Sequence, residues 1–126
     1  MKIAIIGSRG LTVNHLEKYL PQATTEIVSG GARGIDTCAA IYAKIAGLKL
    51  TEFLPEYDKF GKHAPLMRNM LIAEYADMVF AFWDGKSKGT QFVIETCNVL
   101  EKPIKIFMIK TQDKSNEQTQ IYSVLM

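Results

Sequence analysis

The chain of 126 residues is long enough for one domain with a single hydrophobic core. Its apolar fraction of 48%, charged fraction of 22% and net charge of +2 are those of an ordinary globular domain. These values exclude a disordered chain and give no support by themselves to nucleic-acid binding. No apolar run approaches the ~20 residues that span a bilayer, and residues 7–10 interrupt the first apolar run before a signal peptide could form. We therefore expect a cytoplasmic protein without a membrane partner.

In the first half of the chain, apolar runs bounded by turn residues predict strands at residues 2–6 and 25–28. Between them, residues 12–20 predict a helix, because Asn14 and Glu17 form a capping-box pair ahead of an apolar stripe. The second strand runs into a Gly-rich turn and then into a helix at residues 35–46. The many alanines of that helix would let it lie close against a sheet.

Further along the chain, strands are predicted at residues 48–54, 78–83 and 104–109, and residues 78–83 are the most hydrophobic run. Residues 55–62 predict a polar loop, and Ala64-Pro65 predicts the start of a helix, since proline is tolerated at the first helical positions. A further helix follows Thr90. Residues 111–120 are polar and aperiodic, which favours a linker. The apolar residues 122–126 predict either a short tail strand or a dimer contact.

Repeated strand-helix units with short connections predict the α/β class, with a mainly parallel sheet of about five strands and helices on both faces. We expect one domain at residues 1–110, with residues 111–126 as a linker and tail of the same domain or of a dimer contact. Ligands of such sheets bind beyond the carboxyl ends of the strands. Three Gly-rich turns, at residues 7–10, 29–36 and 84–90, should therefore meet at one crevice.

The segment at residues 29–36 reads Ser-Gly-Gly-Ala-Arg-Gly-Ile-Asp, in the order strand, turn and helix from which α/β proteins build anion sites. Three glycines let its backbone approach a ligand, namely Gly30, Gly31 and Gly34. Arg33 adds a planar fork of donors suited to phosphate. The spacing matches neither G-x-G-x-x-G nor the P-loop, so it predicts neither of those sites. The alternative is that Arg33 and Asp36 form only a salt-bridged helix start.

The other turns and one helix supply further candidate ligand residues. These are Gly7, Ser8 and Arg9 after the first strand, Arg68 and Asn69 in the helix that opens at Pro65, and Gly85, Lys88, Gly89 and Thr90 after the fourth strand. Alternatives remain for each group: a tight connection at residues 7–10, a solvated Arg68, and a surface loop at residues 84–90.

Three aromatic residues could stack on a base, namely Tyr57, Phe60 and Trp83, although Trp83 suits the core equally well. The only carboxylates available for catalysis near these turns are Glu95 and Asp36, and Glu95 is more typical of a solvated helix position. Neither the two cysteines, Cys38 and Cys97, nor the histidines have metal-ligand spacing. We therefore expect no metal site.

The motifs Gly7-Ser8-Arg9 and 29–36, together with Arg68-Asn69 and Gly89-Thr90, resemble those of the SLOG superfamily. That group includes the DprA (Smf) DNA-processing proteins and the Lonely Guy enzymes. Over residues 1–109 the chain most resembles the small stand-alone SLOG proteins of the YpsA and YspA group. The resemblance implies a Rossmann-like three-layer sandwich with a pocket for a nucleotide or nucleotide derivative where the three turns meet. Members of the superfamily serve as ligand sensors, as N-glycosidic hydrolases or as single-strand DNA binders.

One departure bears on the choice among these functions. Lonely Guy enzymes carry Gly-Gly-x-Gly-Thr-x-x-Glu, and the position of their catalytic glutamate is occupied here by Val93. We therefore expect a nucleotide sensor or nucleotide-processing module, with a nucleotide-type ligand as its only implied cofactor. The alternatives are a Lonely Guy-like phosphoribohydrolase that uses Glu95 or Asp36, and DprA-like single-strand DNA binding, which the small net charge does not favour. A homo-oligomer is a further expectation, because SLOG proteins commonly associate.

Overall fold

The computed structural model describes residues 1–109 and the backbone of residues 121–125. The strands are β1 (Lys2–Gly7), β2 (Glu26–Ser29), β3 (Lys49–Glu52), β4 (Met78–Trp83), β5 (Ile104–Ile109) and β6 (Ile121–Leu125). The α-helices are α1 (Ile35–Ala46), α2 (Tyr57–Phe60), α3 (Ala64–Tyr75) and α4 (Lys88–Leu100), and 3-10 turns cover Leu16–Lys18 and Gly61–His63. The predicted linker at residues 111–120 lies outside the described residues.

The strands form one sheet in the order β3-β2-β1-β4-β5-β6. Strands β1 to β5 are parallel to one another, and β6 is antiparallel to β5. Helices cover both faces, so the predicted α/β class and the mainly parallel, Rossmann-like three-layer arrangement are confirmed. The chain runs outward from β1 to β3 and then returns to place β4 on the other side of β1. This β1–β4 boundary is the switch point of the sheet.

Two separate apolar layers hold the helices on the sheet. On one face, α1 packs through its small residues Ala39 and Ala43, both fully buried, against side chains of β1, β2 and β4. On the other face, α3 and α4 pack through Ile72 and Cys97 among others. Strands β1 and β4 lie between both layers, which explains their uninterrupted apolar sequences. This packing fixes the carboxyl ends of β1, β2 and β4 at one edge.

The helix predicted at residues 12–20 is wrong. The segment contains only the 3-10 turn Leu16–Lys18, and His15 just before it has a left-handed backbone with φ of 59°, which no α-helix accommodates. The expected capping box is replaced by a contact of 3.1 Å between His15 Nδ1 and Glu17 Oε1. Of the predicted apolar stripe, Leu16 is buried and Tyr19 and Leu20 are partly buried against the same core, so these side chains pack on the sheet without an α-helix.

The second half of the chain follows the predicted boundaries closely. The strands at residues 78–83 and 104–109 and the helix start at Ala64 are confirmed. The polar loop predicted at residues 55–62 is wrong beyond Glu56, because residues 57–62 form α2 and most of the second 3-10 turn. The apolar tail is predicted to be either a short strand or a dimer contact. It contains strand β6, which pairs with β5 so that Ile121 lies opposite Ile109. Within the described residues, no helix has the length and apolar character needed to cross a membrane.

Candidate functional site

A cleft of about 390 Å³ opens at the carboxyl edge of the sheet, between the turn after β1 and the first turns of α3 and α4. We call it the main cleft. It lies at the β1–β4 switch point, where sheets of this kind bind ligands. Nine predicted ligand residues line it: Gly7, Ser8, Arg9, Asp36, Arg68, Asn69, Lys88, Gly89 and Thr90. Its apolar part is formed by Ile6, Ile72 and Val93.

Ser8 ties two of the turns together at the back of the main cleft. Its side chain is buried, and its Oγ accepts hydrogen bonds from the Ser87 hydroxyl at 2.8 Å and from the Asp84 amide at 3.3 Å. Asp84 Oδ1 in turn accepts the amides of Lys86 and Ser87, both at 2.8 Å. Burial acts to raise the pKa of Asp84, but these amides and hydroxyls outweigh it and lower that pKa. An ionised Asp84 therefore holds the turn before α4 in a fixed shape.

The N-terminus of α4 faces the main cleft. Ser87 is its N-cap residue, but the Ser87 hydroxyl is engaged with Ser8 and Asp84 and makes no capping bond. The first N–H groups of an α-helix have no partner within the helix, and among the described residues no side chain supplies one. The helix dipole also favours negative charge at this end. The amides around Gly89 and Thr90 therefore offer an anion-binding edge.

A cluster of buried charge forms the wall opposite α4. Arg68, on α3, donates from Nη1 to the Gly30 carbonyl at 2.6 Å and from Nε to Asn69 Oδ1 at 2.7 Å. Asp36 Oδ2 accepts the Ala32 amide at 3.1 Å. A Cβ on Gly30 would lie 2.6 Å from Arg68 Nη1 and 3.0 Å from Asp36 Oδ2. The two charged side chains that pack over Gly30 therefore require a glycine at this position.

The charges in this cluster shift each other's pKa. Burial raises the pKa of Asp36, although the Ala32 amide, the Arg68 charge and the Gly30 amide all act to lower it. Burial also lowers the pKa of Arg68, and the Asp36 charge opposes that effect. A guanidinium still remains protonated. A carboxyl group that lines a cleft and has a raised pKa is a candidate for a catalytic or ligand-binding role.

A second cleft, of about 410 Å³, adjoins the main cleft, and we call it the side cleft. The two share Arg9, Ala32 and Arg68 in their linings. The predicted ligand residues Gly30, Gly31 and Arg33 line the side cleft and not the main one, together with Leu54, Pro55 and Tyr57. The three Gly-rich turns thus meet at one edge of the sheet, as the sequence predicts, but they line two connected clefts.

The candidates Gly34, Gly85 and Glu95 lie outside both clefts, as do the stacking candidates Phe60 and Trp83. Gly34 starts α1 with φ of 74° and packs against the backbone of Arg9. Gly85 has φ of 82° and lies beside Met108. Glu95 is exposed on α4 and accepts a hydrogen bond from Gln91 at 3.1 Å. Glu95 therefore has no route to a ligand in the main cleft, and Asp36 is the only carboxylate among the described residues that line it.

Within the described residues, Arg33 does not form the ion pair with Asp36 that the alternative interpretation predicts. Arg33 is exposed toward the side cleft, whereas Asp36 interacts with Arg68 and with the Ala32 amide. Trp83 donates its indole N–H to the Ser87 carbonyl at 3.0 Å and packs against the core, which matches its core alternative. Residues 1–109 contain no group of three or more His, Cys, Asp or Glu side chains that could hold a metal.

Sequence reasoning missed Ser87 and the apolar residues of the main cleft. The order Asp84-x-x-Ser87 ahead of a helix is a signal for a hydrogen-bonded turn, and it could have identified Ser87. The apolar residues Ile6, Ile72 and Val93 carry no such signal, because a cleft-lining residue and a core residue look alike in sequence. No protein-family model matches this chain, and a comparison with curated proteins finds no match either.

Proposed function

We propose that the protein binds a nucleotide or nucleotide derivative in the main cleft, as a ligand sensor or as a nucleotide-processing module. The observation that carries this proposal is the free first turn of α4 at Gly89 and Thr90, facing the same cleft as Arg9 and Lys88. Backbone amides at a helix N-terminus, with two cations beside them, suit a phosphate group.

The remainder of the main cleft suits a nucleoside. Its volume of about 390 Å³ falls within the range of roughly 300–1,000 Å³ that small-molecule sites occupy. Pro65 and Leu66 line it with accessible apolar surface for a base, and Asn69 lines it with an amide that can pair with polar groups. The resemblance to SLOG proteins points to the same ligand class.

The direct test is thermal unfolding and calorimetry with AMP, ADP, NAD and ADP-ribose. A ligand present at 100 times its Kd should add about 2.7 kcal/mol to the free energy of unfolding. Arg9→Gln and Lys88→Gln should each weaken binding about 10-fold, since each removes a charge-assisted contact to phosphate. Lys44→Gln is the matched control, because Lys44 is exposed at the end of α1 and lines neither cleft. If none of the four compounds stabilises the folded protein, this proposal is wrong.

Asp36 supports one second candidate function, cleavage of the N-glycosidic bond of a nucleotide. Its carboxyl lines the main cleft, and when ionised it could stabilise the positive charge that develops on a ribose as the base leaves. Release of free base from a nucleoside monophosphate by the wild-type protein, and its loss in Asp36→Asn, is the expected result. Binding of AMP without release of base would leave the sensor as the function.

A further inference from the structure

We infer that the ligand is a two-part nucleotide, in which a phosphate linkage crosses from the main cleft to the side cleft and a second aromatic group lies on Tyr57. This inference rests on the proposed function, and it adds the class of ligand. It starts from the shared lining of the two clefts at Arg9, Ala32 and Arg68. The two clefts therefore adjoin along these three residues, so one ligand can contact both.

The side cleft has the charge of a second anion site. Among the described residues that line it are three arginines, Arg9, Arg33 and Arg68, and no carboxylate. Arg68 is committed to the Gly30 carbonyl and to Asn69, but Arg9 and Arg33 are exposed. Glu52 lies nearby, because its carboxylate is 3.3 Å from where a Cβ on Gly31 would be. Arg9 lines both clefts and Arg33 lines the side cleft, and two exposed arginines placed in this way suit a linkage with two phosphates.

The far side of the side cleft is apolar and aromatic. Leu54 is 63% exposed and Tyr57 is 56% exposed, although both are large apolar side chains. Both line the side cleft, and Tyr57 is close enough to Arg68 to influence its pKa. An exposed aromatic ring beside arginines is the arrangement on which bases stack in nucleotide and nucleic-acid sites. A flat base on Tyr57, joined through phosphates near Arg9 and Arg33 to the nucleoside in the main cleft, uses every one of these features.

The test compares three ligands by calorimetry: AMP, ADP-ribose and diadenosine diphosphate. AMP has one phosphate and one base, ADP-ribose has two phosphates and one base, and diadenosine diphosphate has two of each. Tyr57→Ala should weaken binding of diadenosine diphosphate about 10-fold, because stacking on one base contributes on the order of 1–3 kcal/mol. The same variant should leave the affinities for AMP and ADP-ribose unchanged, and Tyr57→Phe should keep the wild-type affinity for all three.

Arg33→Gln provides the second measurement. It should weaken binding of ADP-ribose and of diadenosine diphosphate by about 10-fold and leave AMP unaffected, since only the first two have a second phosphate. Lys59→Gln is its control, because Lys59 is exposed on α2 and lines neither cleft.

The outcomes separate this inference from the proposed function. If AMP binds as tightly as diadenosine diphosphate and Tyr57→Ala changes neither affinity, the two-part ligand is wrong and the nucleotide site stands. An equal loss for AMP and diadenosine diphosphate in Tyr57→Ala would also overturn it, because the single base would then occupy the side cleft. If none of the three ligands binds the folded wild-type protein, both ideas are wrong.

Discussion

Two buried carboxylates at opposite edges of the sheet show how differently this protein treats the same chemical group. Glu26 is the first residue of β2 and is 8% exposed, and Asp36 follows that strand in the first turn of α1 and is 7% exposed. The pKa of Glu26 is lowered, whereas the pKa of Asp36 is raised. Burial is the largest influence on the pKa of Asp36, whereas the hydrogen bond from the Tyr75 hydroxyl is the largest influence on the pKa of Glu26.

Glu26 is surrounded by hydroxyl donors and lysines. Its Oε2 accepts the Tyr75 hydroxyl at 2.6 Å and the Thr51 hydroxyl at 2.7 Å, and Lys49 Nζ is 3.8 Å from its Oε1. The Tyr75 hydroxyl is the largest cause of the lowered pKa, and the same bond raises the pKa of Tyr75. These groups join β2, β3 and α3 far from either cleft, so we interpret Glu26 as structural.

Asp36 has fewer donors and lies in the main cleft. Burial is the largest influence on its pKa, and Arg68, the cation beside it, donates its hydrogen bonds to Gly30 and Asn69 instead. A buried carboxylate whose ionised form has too few hydrogen-bond donors lowers the stability of the fold. Such carboxylates are found most often at functional sites, where a ligand can complete their hydrogen bonding. The comparison therefore assigns support of the fold to Glu26, and under the proposed function it makes Asp36 the carboxylate that faces the ligand.

The largest expected effect comes from removing the cation of the cleft cluster. Arg68→Met should lower the free energy of unfolding by about 3 kcal/mol, because it leaves the Gly30 carbonyl without its donor and the buried Asp36 charge uncompensated. Chemical denaturation at pH 7 measures this. Arg33→Met is the matched control, since Arg33 is exposed and its replacement should change stability by no more than about 0.5 kcal/mol. A cost for Arg68→Met as small as that of the control would show that Arg68 supports no structure.

The next effect tests the two carboxylates directly through pH. The folded pKa of Glu26 is below its ordinary value of 4.5, so its ionised form stabilises the fold above pH 4.5, and that contribution is lost as pH falls through the folded pKa. Glu26→Gln should therefore cost about 1–2 kcal/mol at pH 7 and less below pH 4.5. The folded pKa of Asp36 is above 3.8, so its contribution is complete below pH 3.8 and is lost as pH rises through the folded pKa. Relative to wild type, Asp36→Asn should therefore become more stable as pH rises.

The measurement is denaturation of both variants and of wild type from pH 3 to pH 7. The two differences from wild type should change with pH in opposite directions. If the two differences in free energy of unfolding change with pH in the same direction, the two carboxylates respond to burial in the same way. The distinction between a structural and a ligand-facing carboxylate would then be wrong. Gln91→Leu, on the exposed side of α4, gives a baseline for a substitution that touches neither group.

Sequence reasoning recovered the parts of the fold that depend on periodic burial. The strand at residues 78–83 has an unbroken apolar run, and the strand at residues 104–109 has a run interrupted only by Lys105, because both are buried on both faces of the sheet. The helix at residues 12–20 failed because an apolar stripe shows only that side chains are buried. It does not show that the backbone between them is helical, and the left-handed His15 prevents a helix.

The sequence predicted the turns that line the main cleft but not the long-range contacts between residues around it. Gly-rich turns after parallel strands locate the edge where a ligand binds, and residues near Gly7 and Gly89 were found in this way. The contact of Arg68 with the Gly30 carbonyl joins positions 38 apart in the chain, and no local pattern predicts it. The division into two clefts has the same origin, because it depends on where the Arg68 side chain lies in the folded chain.

The smallest expected effect isolates one hydrogen bond of the structural carboxylate. Tyr75→Phe removes the hydroxyl that donates to Glu26 Oε2 and leaves the Thr51 hydroxyl and the ring contact with Phe53 in place. It should lower the free energy of unfolding by about 1 kcal/mol at pH 7, and this cost should shrink as pH falls below 4.5 and Glu26 takes up its proton. Tyr57→Phe, at an exposed ring, is the control and should change stability little at any pH. If Tyr75→Phe lowers the free energy of unfolding by the same amount at pH 3 and pH 7, that loss comes from packing and not from the hydrogen bond. The lowered pKa of Glu26 would then be due to Thr51 and the lysines alone.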